Sequence, residues 1–266
     1  MEYFKNKVIW ITGASSGIGE ALAQALSAEG AQLILSSRRT EELERVKRSC
    51  VNQGNTKVLA LDLLDTSSLA GKTSEAIAAF GHIDIMVHNG GISQRSYVNE
   101  TGMEVQRKVM ETDYFSYIEL TNYLLPHFIQ RKSGHFVVMS SVMGKIGTPM
   151  RSAYAAAKHA LHGFFDCLRA EVFDKNIQVT IITPGYIRTN VALNALKGDG
   201  TQNGKTGEDI ANGLPADKAA VQIIKAIAAG KFEIFVGRNG KEKLALIVNR
   251  IAPNLLQKMV RKQIPH

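Results

Sequence analysis

The sequence predicts a three-layer α/β/α fold, a doubly wound parallel sheet of about seven strands with helices on both faces. Three observations predict it. Short apolar runs alternate with longer helical patterns along the whole 266-residue chain. Most of these runs are continuous rather than alternating in polarity, as strands covered on both sides are. The first run leads directly into a glycine-rich turn and a helix, the opening of a βαβ unit.

In order, the strand candidates are Lys7–Thr12, Gln32–Ser37, Lys57–Leu63, Asp84–His88, His135–Ser140, Gln178–Thr183 and Glu233–Val236. Helical periodicity marks Gly17–Glu29, Thr40–Val51, Thr66–Phe80, Met103–Arg131, Ser152–Phe173 and Pro215–Ala229. A single domain over 1–266 is expected. Two segments break the rhythm. The polar, glycine-rich stretch from Asn190 to Leu214 reads as a flexible loop, within a substrate-loop region 186–215. Within the C-terminal extension 240–266, the stretch from Lys241 to Ile264 mixes Leu, Ile and Val with Lys and Arg around Pro253. It reads as an amphipathic helix that packs on the domain, meets a partner subunit or touches a membrane surface, the first two being preferred.

Composition narrows the function classes. A hydrophobic content of 45% supports a sizeable core, and 21% charged residues suit a soluble protein. No apolar run is long enough to span a bilayer. The strand pattern begins at Lys7, which leaves no room for a signal peptide, so a cytoplasmic location is expected. Cys50 and Cys167 lie far apart without metal or redox spacing, so they read as reduced structural residues and no metal is expected. The net charge of +8 is spread along the chain without a nucleic-acid module, and reads as a solvated basic surface.

The turn after the first strand is Thr12-Gly13-Ala14-Ser15-Ser16-Gly17-Ile18-Gly19. Glycines here let the backbone approach a pyrophosphate with no Cβ in the way, while the following helix offers free N–H groups and a partial positive charge. A glycine turn alone is weak evidence; its place in a βαβ unit makes it a candidate dinucleotide site of the Rossmann type. An NAD site usually has an acid at the end of the second strand. The sequence there is Ser36-Ser37-Arg38-Arg39-Thr40, with no acid before the helix. Paired guanidinium groups suit a 2′-phosphate, so NADP(H) is favoured over NAD(H).

A second cluster carries chemistry. Tyr154 and Lys158 stand at i and i+4 and share one helix face, so the ammonium can approach the phenol. An ordinary tyrosine, with a pKa of about 10, is a poor base at neutral pH. A neighbouring cation stabilises the phenolate and suits it to general acid/base work. Ser141 ends the fifth strand, where open α/β sheets bind ligands, and its hydroxyl can hold a substrate oxygen as charge develops. Taken singly, each of these residues is ordinary surface or turn chemistry. Their order behind a dinucleotide turn is not.

At these residues the chain resembles the short-chain dehydrogenase/reductase family of the 250-residue type. The likeness runs from Thr12–Gly19 through Asp62, Asn89-Gly90-Gly91, Ser141, Tyr154 and Lys158 to Pro184-Gly185 and Thr189. Within it, Asn89–Ser96 and Ala157–Phe165 are most similar to the dehydrogenase/reductase member 7 group. The resemblance implies that Gly13, Ser15, Ser16, Gly17, Ile18 and Gly19 cradle the cofactor with Arg38 and Arg39. It also implies that Asp62 and Leu63 meet adenine, that Asn89 and Gly90 steady the central strand, and that Lys158 reaches the nicotinamide ribose. Pro184, Gly185, Ile187 and Thr189 would hold the carboxamide and phosphate. Where the family has a catalytic Asn midway along the fourth helix, this chain has Asp113; that departure puts the role of Asp113 in doubt. Some relatives carry a membrane anchor and act on steroids, retinoids and other lipophilic carbonyls.

The pocket candidates Met143, Ile146, Met150, Tyr186, Val191 and Leu193 would give an apolar substrate site beside Ser141. The implied activity is interconversion of a ketone or aldehyde and its alcohol by hydride transfer, in a homodimer or homotetramer. The alternative left open by Asp113 is a catalytically weak dinucleotide-binding regulator or scaffold.

Overall fold

The computed structural model describes residues 1–238 and 240–261. A seven-stranded parallel sheet is built from β1 (Val8–Thr12), β2 (Gln32–Ser37), β3 (Thr56–Ala60), β4 (Ile85–His88), β5 (Gly134–Met139), β6 (Ile177–Pro184) and β9 (Glu233–Val236). Its order is β3-β2-β1-β4-β5-β6-β9. The short strands β7 (Ile187–Arg188) and β8 (Leu214–Pro215) pair separately. The chain winds outward from β1 to β3 and then crosses back to β4. The switch between β1 and β4 therefore opens a crevice at the carboxyl ends of the strands, where ligands of such sheets bind.

Alternation along each strand splits the apolar residues between two cores. Ile9 and Ile11 of β1 face the core under α1 (Gly17–Ala28) and α8 (Ala216–Ala228), together with Val137 of β5 and Leu22. Val8 and Trp10 face the other core, with Phe136, Leu120, Phe128 and Phe165. Both sets are fully buried, which is why the strands read as unbroken apolar runs. The remaining long helices are α2 (Thr40–Ser49), α3 (Thr66–Phe80) and α6 (Ser152–Glu171).

The structure corrects several expected elements. The third strand stops at Ala60, so Asp62 and Leu63 lie in the turn beyond it rather than in the sheet. The helix expected over Met103–Arg131 is not uniform. It comprises α4 (Met103–Met110), a π-helical turn over Glu111–Phe115, and α5 (Ser116–Arg131). Sequence periodicity does not distinguish one widened turn inside a helix. Such π turns collect at functional sites.

The segment after Asn190 is pinned rather than loose. Leu196 N–H donates to the Ser93 carbonyl at 2.8 Å, and Asn203 N–H donates to the Ala195 carbonyl at 2.7 Å. Ala195, Leu196 and Ile210 are buried, and a short helix α7 (Glu208–Ala211) follows. Its many turns, including Gly200 and Gly204 at positive φ, hide this order from any periodic reading. The C-terminal stretch forms two helices, α9 (Lys241–Ile251) and α10 (Pro253–Val260). Pro253 sits at the first position of the second, where its missing N–H costs nothing, while it cannot continue the first. Leu256 and Val260 pack on Val142 and Ile146, so this end docks on the domain. Residues 262–264 of the expected helix lie outside the described residues.

Two buried histidines give the fold an acid sensitivity. His88 stacks on Tyr117, centroids 4.8 Å apart, and its Nε2 lies 2.9 Å from Thr121 Oγ1. Burial pushes its pKa down to about 3, and burial together with Lys7 pushes that of His135 down to about 4. Both imidazoles are neutral in the fold, whereas the unfolded chain takes up their protons below about pH 6.5. Stability is therefore fully present above that pH. It falls by about 1.4 kcal/mol per pH unit per histidine as the pH drops toward the folded values. Denaturant unfolding at pH 7.5, 6 and 5 checks this. His88→Asn is expected to lower stability at pH 7.5 yet flatten the slope, and a wild-type midpoint that does not move between pH 7.5 and 5 contradicts the account.

Candidate active site

The glycine turn is held open by backbone geometry. Gly13 has φ +64°, a conformation that disfavours any side chain, and a Cβ placed on it would stand 2.5 Å from Gly90 Cα. A Cβ on Gly19 would strike the Gly13 carbonyl oxygen. Asn89 fastens the turn from the neighbouring strand: its Nδ2 donates to the Thr12 and Gly13 carbonyls at 3.0 and 3.2 Å. Thr12 Oγ1 in return accepts the amides of Asn89 and Gly90 at 3.0 and 3.1 Å. The first amides of α1 have no partner within the helix, so its positive end faces the crevice.

A cavity of about 1050 Å³ begins at this turn. Gly13, Ser15, Ser16, Gly17 and Ile18 line it, followed by Arg38, Arg39, Asp62, Leu63, Asn89 and Gly90. Gly19 does not line it; it serves the turn from behind. Arg39 reaches across to the turn and donates to Ser15 Oγ at 2.9 Å and Ser16 Oγ at 3.2 Å. A tight glycine cradle, a helix N-terminus and two guanidinium groups suit a phosphorylated dinucleotide.

Farther along the same cavity stand Ser141, Tyr154, Lys158 and Asp113. Ser141 leads into a short 3-10 turn, and its Oγ accepts the Met143 amide at 3.1 Å. That uses its acceptor and leaves its hydrogen free to donate. The Lys158 ammonium is buried 5.7 Å from the centre of the Tyr154 ring and 5.2 Å from that of Tyr117. Nζ donates to the Met139 carbonyl at 3.1 Å and lies 3.1 Å from Asp113 Oδ2.

The π turn carries Asp113 inward to this ion pair. Its Oδ1 accepts the Ile92 amide at 2.8 Å. Burial pushes the Asp113 carboxyl above the usual range, against Lys158 and the Ile92 amide. Burial pushes the Lys158 ammonium down, but Asp113, Tyr117 and Tyr154 more than reverse this and hold it above the ordinary lysine range. Asp113 Oδ2 has no hydrogen bond of its own and faces the ammonium as a counter-charge, so removing either partner leaves a lone charge in the core.

The remaining wall gathers Pro184, Gly185, Tyr186, Ile187 and Thr189, with Met143, Ile146, Met150 and Val191. Leu193 is not among them. It is turned outward and 38% exposed, because the pinned loop directs its neighbours Ala192 and Ala195 inward instead. Sequence reasoning missed Arg95 and Arg151, and also Leu244, Leu256 and Met259, all of which line the cavity. Arg151 could have been found three residues ahead of Tyr154. Nothing in the sequence ties the C-terminal helices to the pocket.

Residues 7–199 match the family model described as short chain dehydrogenase. The chain belongs to the short-chain dehydrogenase family. Among curated members of that family, the Mus musculus protein named dehydrogenase/reductase SDR family member 7B is 40% identical over 258 residues, 95% of this chain and 80% of that protein. A Drosophila melanogaster protein named dehydrogenase/reductase SDR family protein 7-like is 43% identical, covering 94% of this chain and 78% of its own. The family is one of oxidoreductases, and these relatives are named as dehydrogenases/reductases. A solved short-chain dehydrogenase from Streptomyces avermitilis superposes with TM-score 0.79 at 27% identity over 98% of both chains. The fold is shared by a Burkholderia phymatum family member in complex with NAD, with TM-score 0.83 at 20% identity over 96% of both chains. It is shared too by a metagenomic oxidoreductase in complex with NADP, with TM-score 0.73 at 24% identity, covering 88% of this chain and 97% of that one.

The buried pair makes a double-mutant cycle informative. Asp113→Ala leaves an unpaired ammonium in the core and is expected to cost about 3–5 kcal/mol. Lys158→Met in the Asp113→Ala background is expected to recover more than about 1 kcal/mol of that loss. Unfolding free energies measured for the four proteins decide it, and strict additivity contradicts an ionised pair.

Proposed function

We propose that this chain is an NADP(H)-dependent oxidoreductase that interconverts a ketone or aldehyde and the corresponding alcohol, with Tyr154 as general acid/base. The observation that carries this reading is a shared wall. Tyr154, with the Lys158 ammonium held over its ring, lines the cavity that starts at the glycine turn.

The residues divide the work. A bound dinucleotide would supply the hydride in reduction and accept it in oxidation. Ser141 donates its free hydroxyl hydrogen to the substrate oxygen, where charge builds during transfer. In reduction Tyr154 gives that oxygen a proton, and in oxidation it takes one. Lys158 stabilises the resulting phenolate. Its ammonium has three donor directions; Met139 takes one and Asp113 stands beside it as a counter-charge, which leaves donors for the cofactor ribose or the phenol. Asp113 holds that amine in place and keeps it charged. Arg38 and Arg39 would clasp a 2′-phosphate, in a position with no acid to repel one.

A second reading rests on Asp113. Its carboxylate offsets the Lys158 charge that would otherwise act on Tyr154 alone, which suits a dinucleotide-binding regulator of low turnover. Tight NADPH binding with no absorbance change across a broad carbonyl panel would favour it. A homo-oligomer formed through α5 and α6 would cover the exposed Phe115, Tyr123 and Ile129. Among the described residues no helix is long and apolar enough to cross a membrane.

Two variants test the leading reading. Tyr154→Phe is expected to lower kcat by about 10²–10⁴-fold while NADPH titration stays near wild type; full turnover in that variant refutes the assignment. Arg39→Ala is expected to cost NADPH about 10–100-fold in affinity, the worth of charge-assisted bonds to phosphate, and NADH far less. Equal losses for the two dinucleotides would remove the case for NADP(H).

A further inference from the structure

The cavity that Tyr154 lines has a second pair of arginines, Arg95 and Arg151, close enough to repel each other. The backbone around both arginines is fixed. Arg95 N–H donates to the Leu196 carbonyl at 2.7 Å, and Ser96 N–H donates to the Met150 carbonyl at 3.2 Å. Gln94, fully buried, accepts the Ala153 amide at 3.3 Å. These bonds lay the loop after β4 along the segment that opens α6. Arg151 immediately precedes that helix, one turn before Tyr154, so the two residues sit on adjoining turns at the substrate end.

Among the described residues neither guanidinium has a partner: the Arg95 and Arg151 side chains make no ion pair and no hydrogen bond, although both are only partly exposed. Lys158 differs, because Asp113 takes up its charge. Burial and the neighbouring Arg151 both push Arg95 below its ordinary value, with Tyr186 and Asp209 acting in the opposite direction more weakly. Two half-buried cations that repel each other, each with an unused donor fork, are held where a ligand enters. Planar forks of this kind match carboxylate and phosphate oxygens in pairs. The same cavity also has an apolar stretch of lining, with Met143, Ile146, Leu256 and Val260.

We infer that Arg95 and Arg151 form an anion-recognition subsite, and that the carbonyl compound handled at Tyr154 carries a carboxylate or phosphate close to the carbonyl and an apolar chain beyond it. This rests on the carbonyl-reductase reading given above. Asp209, on α7, keeps the subsite from being over-charged when no ligand is bound, and a doubly charged phosphate has to outweigh it.

The test uses the whole protein saturated with NADPH, so that the cofactor's own phosphates cannot be mistaken for the ligand. Matched medium-chain ketones, one ending in a carboxylate, one in a phosphate monoester and one in the methyl ester, are compared by kcat/KM. The anionic ketones are expected to exceed the ester by about 10-fold or more, with an advantage that shrinks as salt rises. Arg95→Gln and Arg151→Gln are each expected to lower that ratio by about 10-fold, and Arg→Lys at either position by less. Preference for phosphate or for carboxylate identifies the anion. A ratio near one in the wild type, or one that neither variant changes, overturns the proposal.

Binding separates this inference from the reading beneath it. Octyl phosphate and octanoate are titrated against octanol on the NADPH complex by calorimetry. Tighter binding of either anion, lost in Arg95→Gln and Arg151→Gln, sustains the subsite even if no ketone is reduced, in which case only the catalytic reading fails. Equal binding of anions and alcohol overturns the subsite whether or not ketones turn over.

Discussion

A protonated amine out of reach of solvent has to be surrounded by acceptors, and the site is arranged around one such amine. Lys158 meets the Met139 carbonyl at the end of β5, the Asp113 carboxylate from the widened helix turn, and the ring faces of Tyr117 and Tyr154. Each neighbour comes from a different element, so satisfying one charge fixes the mutual placement of β5 and two long helices. Asp113 also takes the Ile92 amide, which ties the loop after β4 to the same point. Tyr117 donates to the Gly90 carbonyl at 2.9 Å, and Gly90 lies against Gly13. The constraint thus passes in three contacts from the reacting end of the cavity to the phosphate turn.

This economy explains why the chemistry was legible from residue order. Gly13 and Gly19 are forced by close backbone approach, Gly17 by its positive φ, and the Tyr154–Lys158 spacing by one helical turn. Such local rules leave their trace in the sequence. The seven strands were visible because both faces of the sheet are covered, which keeps Val8–Ile11 and Phe136–Met139 apolar throughout. What could not be read depends on distant partners. The π turn at Glu111–Phe115 arises from drawing Asp113 toward an amine more than one element away, and no pattern within the helix signals it. The segment after Asn190 gets its order from single backbone bonds to Ser93 and Arg95, not from periodicity. Leu193 was misplaced for the same reason: in an aperiodic loop, neighbouring residues point in unrelated directions.

The cavity has two ends with different logic. The dinucleotide end is made of backbone, glycine and helix ends, with its charge supplied by Arg38 and Arg39. The substrate end is made of side chains contributed by four separate stretches, the loop after β4, the segment before α6, the pinned loop and the C-terminal helices. Changing a side chain there alters fit without disturbing a strand, whereas any Cβ at Gly13 meets the neighbouring strand directly.

Pro253 gives the last of those stretches a particular standing. By breaking one amphipathic stretch into two short helices, it folds the tail back so that Leu256 and Val260 reach Val142 and Ile146. In chain order they follow the residues of the nucleotide crevice, and they lie beyond the part of the chain that the family model covers. A nascent chain can therefore complete its nucleotide crevice before its reaction chamber has a roof. In the same way, a lineage can remodel that roof and acquire new chemistry targets while the inherited engine beneath stays untouched.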